Sequence, residues 1–122
     1  MELYIDSTEL AELGPTLSRL PAVVVDHLGL SREGFGDLLR LVGDGMHVKA
    51  TGFGRLDLDI PAALQALHAA NPSAVMVGTD LPSTRAPRPF ERSDLQVVAD
   101  ALGSDALSAV FRENAQRLYR PL

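Results

Sequence analysis

The sequence predicts an α/β fold of four parallel strand–helix units, and three observations lead there. Four short apolar runs recur at intervals of about 25 residues. Each is followed by a few polar residues and then by apolar residues at helical spacing. Strand alternating with helix at this spacing indicates βαβ crossovers and hence a parallel sheet. At 122 residues the chain is long enough for a single domain, 1–122, with a real core, and too short for two.

The first run is Leu3-Tyr4-Ile5, ending at Asp6. Leu10, Leu13, Leu17 and Leu20 then fall on one helical face. Ser7 or Thr8 is placed to cap that helix, and Gly14-Pro15 should interrupt or kink it. The second run, Ala22-Val23-Val24-Val25, lies between Pro21 and Asp26. Its consecutive apolar residues suit a strand buried on both faces. Ser31 is the expected cap of the next helix, which carries Phe35, Leu38, Leu39 and Val42 and stops at Gly43-Asp44-Gly45.

The third run, Met46 to Ala50, contains His47 and Lys49, but Met46, Val48 and Ala50 alternate as a strand requires. After Gly52-Phe53-Gly54, Pro61 suits a first helical residue, with Leu64 and Leu67 on the buried edge. The fourth run is Ala74-Val75-Met76-Val77, closed by Gly78. A long loop, Thr79 to Phe90, follows, of a length that often serves function. Ser93 is expected to open a helix ending at Gly103. Ser104 should open a last one bearing Leu107, Val110, Phe111, Leu118 and Tyr119.

Composition narrows the function. A net charge of −5 disfavours nucleic acid and anionic membranes as partners. The absence of cysteine removes disulfides, thiolate nucleophiles and zinc fingers, and suits a cytoplasmic location. No apolar run reaches the roughly 18 residues of a membrane span. The first six residues lack the basic character of a signal peptide.

In parallel α/β folds, ligands bind beyond the carboxyl ends of the strands. Those positions hold Asp6-Ser7, Asp26-His27, Thr51 through Arg55, and Thr79-Asp80, a concentration of polar groups in an otherwise apolar pattern. Asp80 suits a general base or metal ligand, or else a turn or helix-capping residue. His27 could meet substrate or metal through one ring nitrogen while the other is oriented by a neighbour, or be an ordinary loop histidine. Asp26 need not be that neighbour, because adjacent strand residues face opposite ways. Arg55 could clamp a substrate carboxylate, although a surface pair with Asp57 or Asp59 is the simpler expectation. His47 and His68 occupy uninformative places. Gly52-Phe53-Gly54 lacks the third glycine of a dinucleotide loop.

Val23-Val24-Val25-Asp26-His27-Leu28-Gly29, Val48-Lys49-Ala50-Thr51-Gly52 and Gly78-Thr79-Asp80-Leu81-Pro82 together resemble the amidohydrolase-2 group of the amidohydrolase superfamily, which includes 2-pyrone-4,6-dicarboxylate lactonase-like enzymes. Glu113-Asn114-Ala115-Gln116-Arg117-Leu118-Tyr119-Arg120 is similar to that family's final helix. The resemblance implies the C-terminal half of a TIM-type (β/α)8 barrel. It also implies a hydrolase that directs water onto a lactone, or amide, carbonyl of a small and possibly carboxylated substrate. Asp80 would be the base or metal ligand and His27 the group that polarises the carbonyl or binds metal. Arg55, with Thr51 beside it, would contact substrate. A divalent metal such as zinc would suit a completed barrel.

Two departures set limits on this expectation. The family's first-strand His-x-His pair occurs nowhere in the sequence, and no fifth-strand histidine stands near Asp6-Ser7. The chain is also about half of a typical barrel of roughly 250 residues. It is therefore expected to be a truncated or split barrel. It would pair as a homodimer or dock onto a separate N-terminal half, because four parallel strands cannot close. The alternative is a non-catalytic half-barrel that forms a site only with its partner chain. A flavodoxin-like binding domain fits the order of elements but lacks a phosphate-cradling glycine loop after its first strand.

Overall fold

Each apolar run contributes to a strand, although the first shares only Leu3 with its strand. In the computed structural model, which describes residues 1–120, these are β1 (Glu2–Leu3), β2 (Val24–Val25), β3 (His47–Ala50) and β4 (Val75–Val77). They form one parallel sheet in the order β1-β2-β3-β4. The helices are α1 (Leu10–Leu17), α2 (Phe35–Gly43), α3 (Ile60–Ala70), α4 (Arg92–Leu102) and α5 (Asn114–Tyr119).

Register explains the two faces. Leu3, Val25, Val48 and Val75 lie side by side across the sheet. They pack against Leu10 and Leu17 of α1, Leu38 and Leu41 of α2, Leu64 and Leu67 of α3, and Val98 of α4. Side chains alternate along a strand, so Glu2, Val24 and His47 share the other face, with Lys49 and Met76 one step further along. A full burial of each leucine is worth about 1.5–3 kcal/mol, which is why the helices commit to one face.

Several helix boundaries differ from the sequence expectation. Gly14-Pro15 does not break α1. The amide missing at Pro15 would have bonded the carbonyl of Ala11, and both residues are exposed, where water can serve instead. Neither Ser7 nor Thr8 caps α1. Asp6 caps a short 3₁₀ turn ahead of it by accepting from the Thr8 amide. Ser31 does not cap α2, which begins after Gly34. Its hydroxyl donates to Asp6 at 2.7 Å, and its carbonyl accepts from the buried Ser7 hydroxyl at 2.9 Å. A β-carbon at Gly34 would lie 2.1 Å from the Ser7 carbonyl, so this crossing fixes where α2 starts. Pro61 is the second residue of α3, whose cap is Asp59. Glu91, not Ser93, caps α4, with Asp94 completing a reciprocal capping box.

The chain's last helical stretch widens into π geometry over Ala109–Glu113 before α5. There the buried Asn114 side chain donates to the carbonyls of Pro72 and Val75. Tyr119 reaches back to the sheet face away from the other helices, hydrogen-bonding Glu2 with Lys49 Nζ 5.8 Å from its ring centre. No helix among the described residues is long and apolar enough to cross a membrane.

Candidate functional site

Strand β2 delivers His27 through a backbone that few residues tolerate. His27, Leu28 and Leu30 all have positive φ, at 53°, 50° and 68°. This turn carries the imidazole sideways to β3, where Nδ1 lies 2.7 Å from the Thr51 hydroxyl. Gly52, at φ 60°, leaves room for the ring, since a β-carbon there would sit 2.7 Å from Nδ1. The remaining nitrogen, Nε2, faces Asp80 Oδ1 at 3.8 Å.

Asp80 itself has φ 59°. Its other oxygen accepts a hydrogen bond from Arg55 Nε at 3.0 Å, and Arg55 Nη2 donates to the carbonyl of Thr84 at 2.8 Å. Gly78, two residues earlier, lets β4 approach: a β-carbon there would come 2.8 Å from Thr51 Cγ2. The structure thus brings His27, Thr51, Arg55 and Asp80 together from three strand ends. Arg55 does not pair with Asp57 or Asp59. Asp57 bonds Arg32 at 3.4 Å and Asp59 caps α3, which leaves Arg55 free to turn to Asp80.

Burial sets the charge state of the histidine. It holds His27 below the ordinary histidine range, with the nearby Asp80 and Asp26 charges pulling the other way. The ring is therefore neutral near pH 7 and keeps one N–H to donate. Arg55 is raised, chiefly by its hydrogen bond to Asp80.

A cleft of about 310 Å³ runs beside these groups, lined also by Asp26, Lys49, Met76 and Tyr119. Burial pushes the Asp26 carboxyl upward, and its Oδ1 has no hydrogen-bond partner, with Lys49 Nζ 4.0 Å away. Lys49 also bonds Glu2 at 2.9 Å.

Other strand-end residues play no part in the cluster. Asp6 and Ser7 are bound up with Thr8 and Ser31. His47 and His68 lie elsewhere, each with a buried Nδ1 that lacks a partner. The place at the end of β1 falls instead to Tyr4, whose ring stands edge-on to His27, centroids 5.3 Å apart. Tyr4 and the Glu2–Lys49–Asp26 network escape a reading by residue type. The signal that finds them is alternation: with Leu3 and Ile5 in the core, Glu2 and Tyr4 must face the other way.

Among the described residues no three histidine, aspartate or glutamate side chains converge on a point that could hold a metal ion. His27 and Asp80 alone fall short of the three protein ligands of a catalytic zinc. The described residues of this half-barrel do not by themselves supply the donor set of a resident metal.

Ionisable groups gathered at the carboxyl ends of parallel strands are the arrangement of α/β-barrel enzymes. The amidohydrolase family profile matches residues 2–120, and the chain belongs to that family. It is similar to a Pseudomonas putida protein proposed to be a 2-pyrone-4,6-dicarboxylic acid hydrolase. That match has 26% identity and a TM-score of 0.78, over 96% of this chain and 50% of that one. An amidohydrolase 2 from Bifidobacterium longum subsp. infantis shares the fold at 22% identity and TM-score 0.74, over 97% of this chain and 48% of the other. So does an Agrobacterium tumefaciens protein at 18% identity and TM-score 0.76, over 99% and 50%. No curated protein matches. The chain spans about half the length of the solved proteins it matches, and its four strand–helix units are half of a barrel.

Proposed function

We propose that the chain carries the carbonyl-activating part of a hydrolytic site, which directs water onto a lactone, or less readily an amide. The observation that carries this reading is the His27–Asp80 pair, 3.8 Å apart, with each partner fixed from behind. Thr51 holds His27 Nδ1 and Arg55 holds Asp80 Oδ2, so Nε2 and Oδ1 are the atoms left to act. The similarity to a proposed 2-pyrone-4,6-dicarboxylic acid hydrolase favours a lactone.

Asp80 Oδ1 takes a proton from water as the oxygen of that water bonds to the carbonyl carbon. The carbonyl oxygen gains the electron pair, and His27 stabilises it by hydrogen bonding in the tautomer that carries its proton on Nε2 and accepts from Thr51 at Nδ1. When the tetrahedral intermediate collapses, the ring C–O bond breaks. The departing oxygen then takes the proton that Asp80 holds. The products are an acid and an alcohol or enol, and Asp80 is again a carboxylate. The Arg55 donors not spent on Asp80 and Thr84 remain for a substrate carboxylate. No step runs through a metal.

Half a barrel with two strand-end acid–base groups also supports a second reading, in which this chain is inert until a partner chain completes the cleft. Its support is the half-length match together with the shortage of metal donors. Asp80→Asn tests the first reading on a panel of lactones. Hydrolysis should fall at least a hundredfold, the usual yield of a positioned base. Near-normal turnover in Asp80→Asn would overturn the role of the aspartate.

A further inference from the structure

Three of the large hydrophobic residues left exposed, Tyr4, Leu13 and Leu20, belong to one end of the sheet, that of β1 and α1. The carbonyls of Met1 and Leu3 accept from the amides of Val24 and Asp26, at 2.8 Å each. Alternation therefore turns the backbone N–H and C=O groups of Glu2 and Tyr4 outward, along an open edge. Helix α2 packs on one flank of α1, where a β-carbon at Gly14 would lie 3.5 Å from Leu41. At about 100° per residue, Leu10 and Leu17 face the sheet and Leu13 falls on the flank turned away from α2. Leu20 follows in the turn after the helix. Glu9 and Glu12 are exposed at the start of α1 and Arg19 just past its end. Among the described residues none of these three forms an ion pair.

We propose that this end of the molecule binds a second copy of the chain, β1 against β1, antiparallel about Leu3. The edge is its own complement there. Glu2 exchanges two backbone hydrogen bonds with the partner's Tyr4, and Tyr4 does the same with the partner's Glu2. The free flank of α1 meets its symmetry mate running the opposite way. Leu13 and Leu20 lose their exposure, and the acidic start of one helix faces the partner's Arg19. A stable interface covers about 800 Å² on each partner, more than so short a strand offers without the helix. The far edge is no rival, because Asn114 already donates to the Val75 carbonyl on β4. Antiparallel pairing sends the carboxyl ends of the two sheets opposite ways. The two His27–Asp80 pairs then share no cleft, so the inference stands whatever reaction the site performs. The same pairing covers the edge that a complementary half-barrel would need.

Because the chain has no cysteine, the register can be tested with a single introduced thiol. Leu3 and the partner's Leu3 form a non-hydrogen-bonded pair, with Cα atoms about 4.5 Å apart, within reach of a disulfide. Leu3→Cys should cross-link to a dimer on mild oxidation, and the control Phe111→Cys should not. In sedimentation equilibrium the unmodified chain should dimerise. Leu13→Lys and Tyr4→Pro should each raise the dissociation constant about tenfold or more. Leu13 is exposed and the Tyr4 amide faces outward, so both variants should keep the circular dichroism of the unmodified chain. A chain that is monomeric throughout, or an affinity that neither variant moves, overturns the proposal. So does a folded Leu3→Cys protein that fails to cross-link.

Discussion

Gly52 stands at φ 60° with the His27 ring 2.7 Å from where a β-carbon would lie. Alanine there meets two penalties at once, a left-handed backbone and a clash with Nδ1, and the second forces the imidazole off Thr51. Gly52→Ala should therefore lose about 1–3 kcal/mol in urea denaturation. It should also shift the His27 ring signals in NMR spectra; unaltered spectra and stability would show that the ring does not depend on this gap. At this scale the sequence was partly legible. His27, Thr51, Arg55 and Asp80 stand out because strand ends are known to bear function, and the fold brings all four together. Their pairings were not legible. Arg55 lies close in sequence to two aspartates and pairs with one 25 residues away, a choice made by the β3–β4 crossover.

Asp94 ties the long loop after β4 to α4. Its carboxylate takes both Arg88 nitrogens, at 2.7 and 3.1 Å, and also the Glu91 amide that opens the helix. Arg88 in turn lies against Gly54, where a β-carbon would come 2.6 Å from its Cγ. One carboxylate thus links the β3 loop, the β4 loop and a helix cap. Asp94→Asn keeps the size but weakens these bonds, and should cost about 1–3 kcal/mol. Cleavage by trypsin after Arg85 should quicken more than cleavage elsewhere, Arg88 being followed by Pro89 and so resistant. Equal acceleration at every site would mean global loosening and no local latch. The sequence suggests the helix and its end at Gly103, with Ser93 expected to open it. Capping by Glu91 depends on a neighbour three residues on, and the arginine that orients that neighbour comes from the loop.

The whole molecule has an asymmetry that the strand–helix pattern does not reveal. At the β4 edge, Asn114 donates to the Val75 carbonyl, so α5 supplies a hydrogen bond that a further strand would otherwise make. At the β1 edge the described residues provide no comparable cover, and Met1 and Tyr4 are each 63% exposed. A two-fold pair of half-barrels closing into eight strands would set β4 of one copy against β1 of the other, and would have to displace the Asn114 bond twice. Closure and the present position of α5 therefore compete. If a homodimer closes in this way, Asn114→Ala should strengthen self-association in sedimentation velocity, because the edge it frees becomes available for pairing. If the dimer forms through the β1 edge alone, the same substitution should destabilise each subunit and leave the dimer constant unchanged. A chain that stays monomeric at every concentration, with or without Asn114, would mean that a two-residue β1 is too short to recruit a second copy. The partner to seek would then be a complementary half-barrel.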